Sequence, residues 1–388
     1  MRFVCAGDLH LGSGADLSPD GADGRLAEME AVLAQIVDAA NELDAPLLWV
    51  GDAWEHRRPS PSEVIVVRRQ FARLEQRALI IPGNHDVEAF GRPTGYDLLA
   101  TAPIVVTTPG VVGGDGYQIA CLPWAQASRL VDLEDDRDRV HERLAEGLLD
   151  IARGLYTSME VDGPQILVGH WSISGASTPS GIPTDQFREP VIPLAELEAI
   201  GFDAIVFGHI HKPQILSMSD SPPVFYVGSP LALNFGETGS DHGAWLLDFS
   251  STGDAEAYMI ALDSPRLVTI DAEFVEEFVA YPVDEVAGCV VKLRIRATEE
   301  EARRLDLAGE REALFARGAR QVWSIEVITQ RAEPVRGAAV DEGLDDRELF
   351  DRWLDAVASY HHVQPAELLD RFNARLRDRH AAYLEATL

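Results

Sequence analysis

The sequence predicts a layered α/β domain followed by a small α+β piece and a pair of helices, and three observations predict it. Strand-like and helix-like runs alternate through the first two thirds of the 388 residues. Several strands run straight into clusters of Gly, Asp, Asn and His, and in an α/β sheet ligands gather outside the carboxyl ends of the strands. Apolar content is ordinary at 46%, so the chain can bury a sizeable core and divides at roughly 100–200 residues per domain.

Taken in order, short apolar runs at Arg2–Ala6, Ala45–Val50, Ala78–Ile81, Gln118–Leu122, Gln165–Val168, Ala204–Phe207, Val224–Val227 and Ala244–Phe249 read as strands. Helical spacing between them marks Leu26–Glu42 and Pro61–Gln76. This rhythm defines a first domain over residues 1–262, closed by the linker-like Leu262–Arg266. Residues 267–332 then carry a strand at Cys289–Arg296, a charged helix from Thr298 to about Arg317 and a strand at Val322–Thr329, the outline of a small α+β domain. Beyond the Gly- and acid-rich stretch Arg336–Asp345, residues 343–388 hold two amphipathic helices. Leu349, Phe350, Trp353, Leu354, Val357 and Tyr360 stripe the first, and Leu369, Phe372, Leu376 and Tyr383 the second.

The formal net charge is −31. Non-specific DNA affinity comes largely from basic residues that displace counterions, so this composition argues against an autonomous DNA clamp. Acidity that serves solubility alone says nothing about substrate. Metal ions or a basic partner could supply positive charge locally. Cys5, Cys121 and Cys289 each sit in a short apolar run with no ligand spacing among them and read as small buried hydrophobes. Met1–Ala6 enters a strand directly, without a basic flank, long apolar core or cleavage site. No apolar run approaches the roughly 18–20 residues that span a bilayer. A cytoplasmic protein with no membrane association is expected.

The chemistry gathers at strand ends: Gly7-Asp8-Leu9-His10, Gly51-Asp52, Gly83-Asn84-His85-Asp86, Gly169-His170 and Gly208-His209-Ile210-His211. Side chains two apart, as in Asp8/His10 and His209/His211, point the same way on extended backbone. Asp, Asn and His without thiolate make an oxygen/nitrogen shell that suits manganese, iron or zinc better than calcium. The set is too large for one tetrahedral ion and suits two ions sharing a carboxylate, about 3.5–4 Å apart. A lone buried histidine is more often core than ligand, but accident explains poorly why His10, His85, His170, His209 and His211 all fall on strand ends beside Gly, Asp and Asn. His141, His242, His361, His362 and His380 read as packing or surface.

In that order, Asp8-x-His10, Gly51-Asp52, Gly83-Asn84-His85-Asp86, Gly169-His170 and Gly208-His209-x-His211 resemble the calcineurin-like metallophosphoesterases. The resemblance implies a layered β-sandwich flanked by helices, with two Mn²⁺ ions, Mg²⁺, Fe²⁺ or Zn²⁺ being alternatives. It implies that Asp8, His10 and His211 hold one ion, Asn84, His170 and His209 the other, and that Asp52 bridges them. His85 would stand outside the metal shell and protonate the leaving oxygen, with Asp86 orienting it.

Further words look like the SbcD branch of that family: Gly7-Asp8-Leu9-His10-Leu11-Gly12, Arg58-Pro59-Ser60-Pro61, Gly228-Ser229-Pro230 and Asn234-Phe235-Gly236-Glu237. This implies a DNA-repair exonuclease/endonuclease that pairs as a homodimer. Residues 267–332 would be its capping domain, and 343–388 would dock an SbcC-type coiled-coil ABC ATPase. The sequence departs from the pattern where a histidine often follows the bridging aspartate by three: Glu55 stands there, with His56 beside it. His56 and Arg58 are the candidates for contacting substrate phosphate. A stand-alone phosphodiesterase acting on small nucleotides shares the metal site and is the alternative. The Asp-Arg-Gly of protein phosphatases is absent after Gly51, and intact ligands argue against a silent scaffold.

Overall fold

A computed structural model describes residues 1–87, 95–99, 103–114, 116–125, 140–160, 163–218, 221–275, 278–280 and 286–329. The chain splits into two units, residues 1–297 with 301–328, and residues 298–300 with 329–388. The amphipathic stripes expected at 349–360 and 369–383 lie outside the described residues.

Two six-stranded sheets form the main layers. The first runs in the order Ala255–Ala261, Gly243–Phe249, Arg2–Ala6, Leu47–Trp49, Leu79–Ile80, Ile104–Val105, and the second Gln214–Ile215, Val224–Tyr226, Ala204–Gly208, Gln165–His170, Tyr117–Leu122, Gly110–Gly114. Strand alternation explains the layering. Phe3, Cys5, Leu48 and Val50 share one core with Cys121, Ile166, Val168, Val206 and Phe225 of the second sheet. Val4, Ala6, Leu47 and Trp49 point the other way and pack under Met29, Leu33 and Ile36 of helix Gly21–Glu42. The outer face of the second sheet is covered likewise by Leu148, Leu149 and Ala152 of helix Val140–Thr157. Strands buried on both faces must read as continuous apolar runs, which is why Arg2–Ala6 is conspicuous in the sequence. The expected mixed α/β sandwich flanked by helices is what the chain adopts.

Helix Pro61–Phe71 starts at a capping box, in which the Ser60 hydroxyl accepts from the Glu63 N–H and the Glu63 carboxylate accepts from the Ser60 N–H. It stops five residues before the expected Gln76. The Asn41 amide donates to the Arg73 carbonyl at 2.9 Å and accepts from the Glu75 N–H at 2.9 Å, drawing the chain off the helix axis.

A third, four-stranded sheet has the order Phe278–Ala280, Leu267–Val275, Val290–Ala297, Gln321–Thr329. Its core holds Ile270, Val291, Leu293, Ile295 and Leu314. The helix expected from Thr298 to Arg317 is interrupted, because the Asp306 side chain accepts from the Gly309 N–H and caps a new helix at Leu307–Ala316. Trp323 joins this sheet to the main layers by stacking on Phe235 at 4.7 Å and donating its indole N–H to Asp16 at 2.7 Å. Cys5, Cys121 and Cys289 are buried thiols, and burial pushes the Cys121 thiol up to about 12. No helix among the described residues is long and apolar enough to cross a membrane.

Candidate metal centre

Strands Arg2–Ala6, Leu47–Trp49 and Leu79–Ile80 run parallel in the first sheet, and Gln165–His170 runs parallel to Ala204–Gly208 in the second. Their carboxyl ends converge, bringing together Asp8, His10, Asp52, Asn84, His170, His209 and His211. The backbone there is strained. Asp8, His10, Asp52 and His209 have φ of 49°, 51°, 48° and 92°, four of the five non-glycine residues with positive φ among those described. Such conformations cost about 1–3 kcal/mol each and persist only where surrounding structure over-determines them. Two glycines allow the close approach: a Cβ on Gly51 would meet the His170 ring, and one on Gly83 would meet the Asp52 carboxylate.

Each histidine has one ring nitrogen engaged, which selects the other for the cluster. His10 Nδ1 bonds Glu55 Oε2 at 2.9 Å, His170 Nδ1 donates to the Val50 carbonyl at 2.7 Å, and His211 Nδ1 bonds Glu237 Oε1 at 3.0 Å. His209 is turned the other way: Nε2 bonds Glu189 Oε1 at 2.9 Å, and Nδ1 lies 3.1 Å from Asn84 Oδ1. His170 Nε2 lies 3.1 Å from Asn84 Oδ1 and 3.2 Å from Asp52 Oδ2. These patterns assign the tautomers, and acceptors behind ligating histidines hold them for metal.

Three overlapping groups have donor atoms within 4.8 Å of one another: Asp8, His10 and His211; His10, Asp52 and His85; Asp8, Asp52 and His170. The donor set fits divalent ions. It is a thiolate-free oxygen/nitrogen set, as manganese, iron or zinc prefer. His10 Nε2 is buried without a hydrogen-bond partner, a costly state that an ion would relieve. Burial opposes ionisation of Asp52, yet the His170 and His10 charges hold its carboxyl below the usual carboxylate range. Burial lowers His170, but the Asp52 charge and hydrogen bond outweigh it and raise the ring to about 9.

His85 stands edge-on to His10, with ring centroids 4.7 Å apart. Its Nδ1 donates to the Glu55 carbonyl at 2.6 Å, and its main-chain N–H donates to Asp52 Oδ1 at 2.8 Å. The expectation that Asp86 orients His85 is therefore corrected, since a main-chain carbonyl holds the ring. Asp86 instead organises the backbone. Its carboxylate accepts from the N–H groups of Asp52, Ala53 and Gly83 at 2.7, 3.1 and 3.0 Å, and from the Tyr96 hydroxyl at 2.9 Å. Burial and the Asp52 charge push Asp86 up to about 7, against those donors. His56 and Arg58 lie exposed on the loop that follows, outside the three donor groups.

Sequence reasoning missed the carboxylates behind the histidines. Glu237 falls within one of the SbcD-like words, yet nothing in the word assigns it a role; it is buried and also accepts from the Leu233 N–H at 2.8 Å. Glu189 had no local signal, as it reaches His209 from 20 residues away. Trp124 was also missed; it stacks on Trp171 at 4.3 Å and lies 5.4 Å from the His209 ring.

Residues 1–213 match the family model described as calcineurin-like phosphoesterase. The D subunit of nuclease SbcCD from Escherichia coli (strain K12) is 25% identical over 279 residues, covering 65% of this chain and 66% of that protein. The protein of the same name from Rhodobacter capsulatus is 26% identical over 308 residues, covering 68% of this chain and 70% of its own. The uncharacterized metallophosphoesterase YhaO of Bacillus subtilis (strain 168) is 26% identical over 264 residues, covering 64% of this chain and 57% of its own. The chain thus spans just under two thirds of the Escherichia coli relative's length.

Proposed function

The chain belongs to the calcineurin-like phosphoesterase family, and from that premise we propose that it is a manganese-dependent DNA nuclease, the nuclease subunit of a complex with an SbcC-type coiled-coil ABC ATPase. The observation that carries the reading is the buried oxygen/nitrogen cluster, whose histidines each turn one nitrogen inward. The nuclease class is supported by relatives named as the D subunit of nuclease SbcCD. Asp8, His10 and His211 would hold one ion, Asn84, His170 and His209 the second, and Asp52 both. A bound ion pair supplies Lewis acidity at the phosphoryl oxygens and a nucleophile at neutral pH.

The chain's own residues do the rest. His85 protonates the leaving oxygen from a ring fixed by the Glu55 carbonyl. Glu55, Glu189 and Glu237 hold three ligand rings in register, and Asp86 holds the loop that carries Asp52. Residues 267–332 act as a capping domain, residues 343–388 dock the ATPase, and the protein works as a cytoplasmic homodimer in DNA repair. The net charge of −31 favours a second reading, a stand-alone phosphodiesterase for small nucleotides, because weak intrinsic DNA affinity suits it.

The test is cleavage of labelled DNA and of a small model diester, with Mn²⁺ or chelator and with or without the ATPase. Chelation abolishes both activities, and the ATPase with ATP stimulates only the DNA reaction. Asp52→Ala loses metal and turnover together, whereas His85→Ala keeps metal occupancy and loses roughly 10²–10⁴-fold in turnover. Rapid hydrolysis of a cyclic nucleotide without any ATPase-stimulated DNA cutting would make the second reading the better account.

A further inference from the structure

A cleft of about 560 Å³ opens beside His209 and His211 and is walled by Thr178, Pro179, Phe187 and Arg188. Its size falls within the ~300–1,000 Å³ of small-molecule sites. The reaction at the cluster needs only the scissile phosphodiester, so this adjoining space is available to what lies next to it on the substrate.

Its wall is preformed. Ser172–Ile173 pairs with Val191–Ile192 at the two ends of the loop. The buried Thr184 hydroxyl donates to the Ile173 carbonyl at 2.7 Å, tying the middle down. Arg188 projects from this braced loop and is exposed. Several arginines of this acidic chain pair with carboxylates, as Arg25 does with Glu28, Arg153 with Glu196 and Arg294 with Asp271, though not all do. Arg188 has no ion-pair partner among the described residues. The adjacent carboxylate, Glu189, is committed to His209 and the Ser172 hydroxyl. Lys212, directly after His211 but not in the cleft wall, donates to Ser177 Oγ at 3.1 Å. Phe187 packs half-buried against the second sheet's outer core and, with Pro179, gives the cleft an apolar side.

An exposed cation on a braced loop, beside an apolar wall that opens from a phosphodiester-cleaving centre, matches a phosphate with its sugar and base. We infer that this cleft is a subsite for the nucleotide next to the scissile bond, in which Arg188 binds that nucleotide's phosphate. The inference rests on the phosphodiesterase reading and deepens it, making a polynucleotide strand the preferred substrate over a single diester.

The experiment compares a dinucleoside monophosphate with trinucleotides extended by one nucleotide at either end, using manganese-loaded full-length protein, Arg188→Ala and Arg188→Lys. Extension on one side lowers the wild-type KM by roughly 10-fold or more, the scale of one charge-assisted hydrogen bond. Arg188→Ala loses that gain, Arg188→Lys keeps part of it, and the salt dependence of log KM for the trinucleotide falls by about 0.7 in Arg188→Ala. An undiminished gain in Arg188→Ala, or equal wild-type KM for both lengths, overturns the subsite while leaving the phosphodiesterase intact. If wild-type protein cleaves none of these substrates but hydrolyses a phosphate monoester, the phosphodiesterase reading itself fails and takes the subsite with it.

Discussion

The two halves of the metal cluster are held by different means. On the first sheet, Asp8, His10 and Asp52 are placed through the main chain, each with positive φ; Asp86 gathers the N–H groups of the Asp52 loop and of Gly83, and the N–H groups of Asp8 and His10 donate to the Gly51 and Asp52 carbonyls. On the second sheet, His170 and His211 leave ordinary backbone, and acceptors behind the rings set their aim: the Val50 carbonyl for His170, Glu237 for His211 and Glu189 for His209. His209 and His10 combine both devices, with φ of 92° and 51° and with Glu189 and Glu55 behind their rings. The difference teaches that the first half couples site to fold, whereas the second half can be detuned with the fold intact.

Asp86→Ala gives the largest effect, because it strands several main-chain donors and the Tyr96 hydroxyl at once. Stability should drop by about 3 kcal/mol or more, given the ~1–3 kcal/mol cost of each unsatisfied buried group. Turnover should vanish with it. Denaturant unfolding of chelated protein measures the loss independently of metal, and unchanged stability there would break the distinction between the halves.

Glu189→Gln and Glu237→Gln should act on the second half alone. Each should weaken ion binding by roughly 10–100-fold, the usual effect of losing a partner behind a ligand. Glu189→Gln should shift the unfolding midpoint of chelated protein little, and Glu237→Gln somewhat more, because its amide must face one of the donors that Glu237 now accepts from, but less than Asp86→Ala. Calorimetric titration with Mn²⁺ checks the affinity. A loss of fold equal to that of Asp86→Ala would mean that both halves are held alike.

The smallest effect is with pH. In metal-free protein His170 is raised from 6.5 to about 9 by Asp52. The stability this pair contributes is full below the unfolded value and is lost as pH rises through about 9. An ion needs the neutral ring, so affinity should run the opposite way, rising by at most about tenfold per pH unit as one proton is displaced. Unfolding in chelator and Mn²⁺ titration at several values from pH 6.5 upward should show these opposed slopes. Parallel slopes would assign the proton elsewhere.

Sequence by itself determined the strands that lead into the site, the order and type of the donors, and the main α/β sandwich. Those properties are local: a strand buried on both faces must be apolar throughout, and a chain turning sharply into a ligand cluster shows Gly beside Asp, Asn or His. It also placed the strands of Val290–Ala297 and Gln321–Thr329, but missed Leu267–Val275, whose parallel partner lies beyond an intervening segment. Only the tertiary structure decided that Asp86 serves the backbone rather than His85, and that Glu189 and Glu237 serve the histidines from 20 and 26 residues away. Periodicity reports which face of an element is buried. The acceptor that a ring nitrogen meets depends on distant strands arriving at one edge, and no spacing along the chain encodes that meeting.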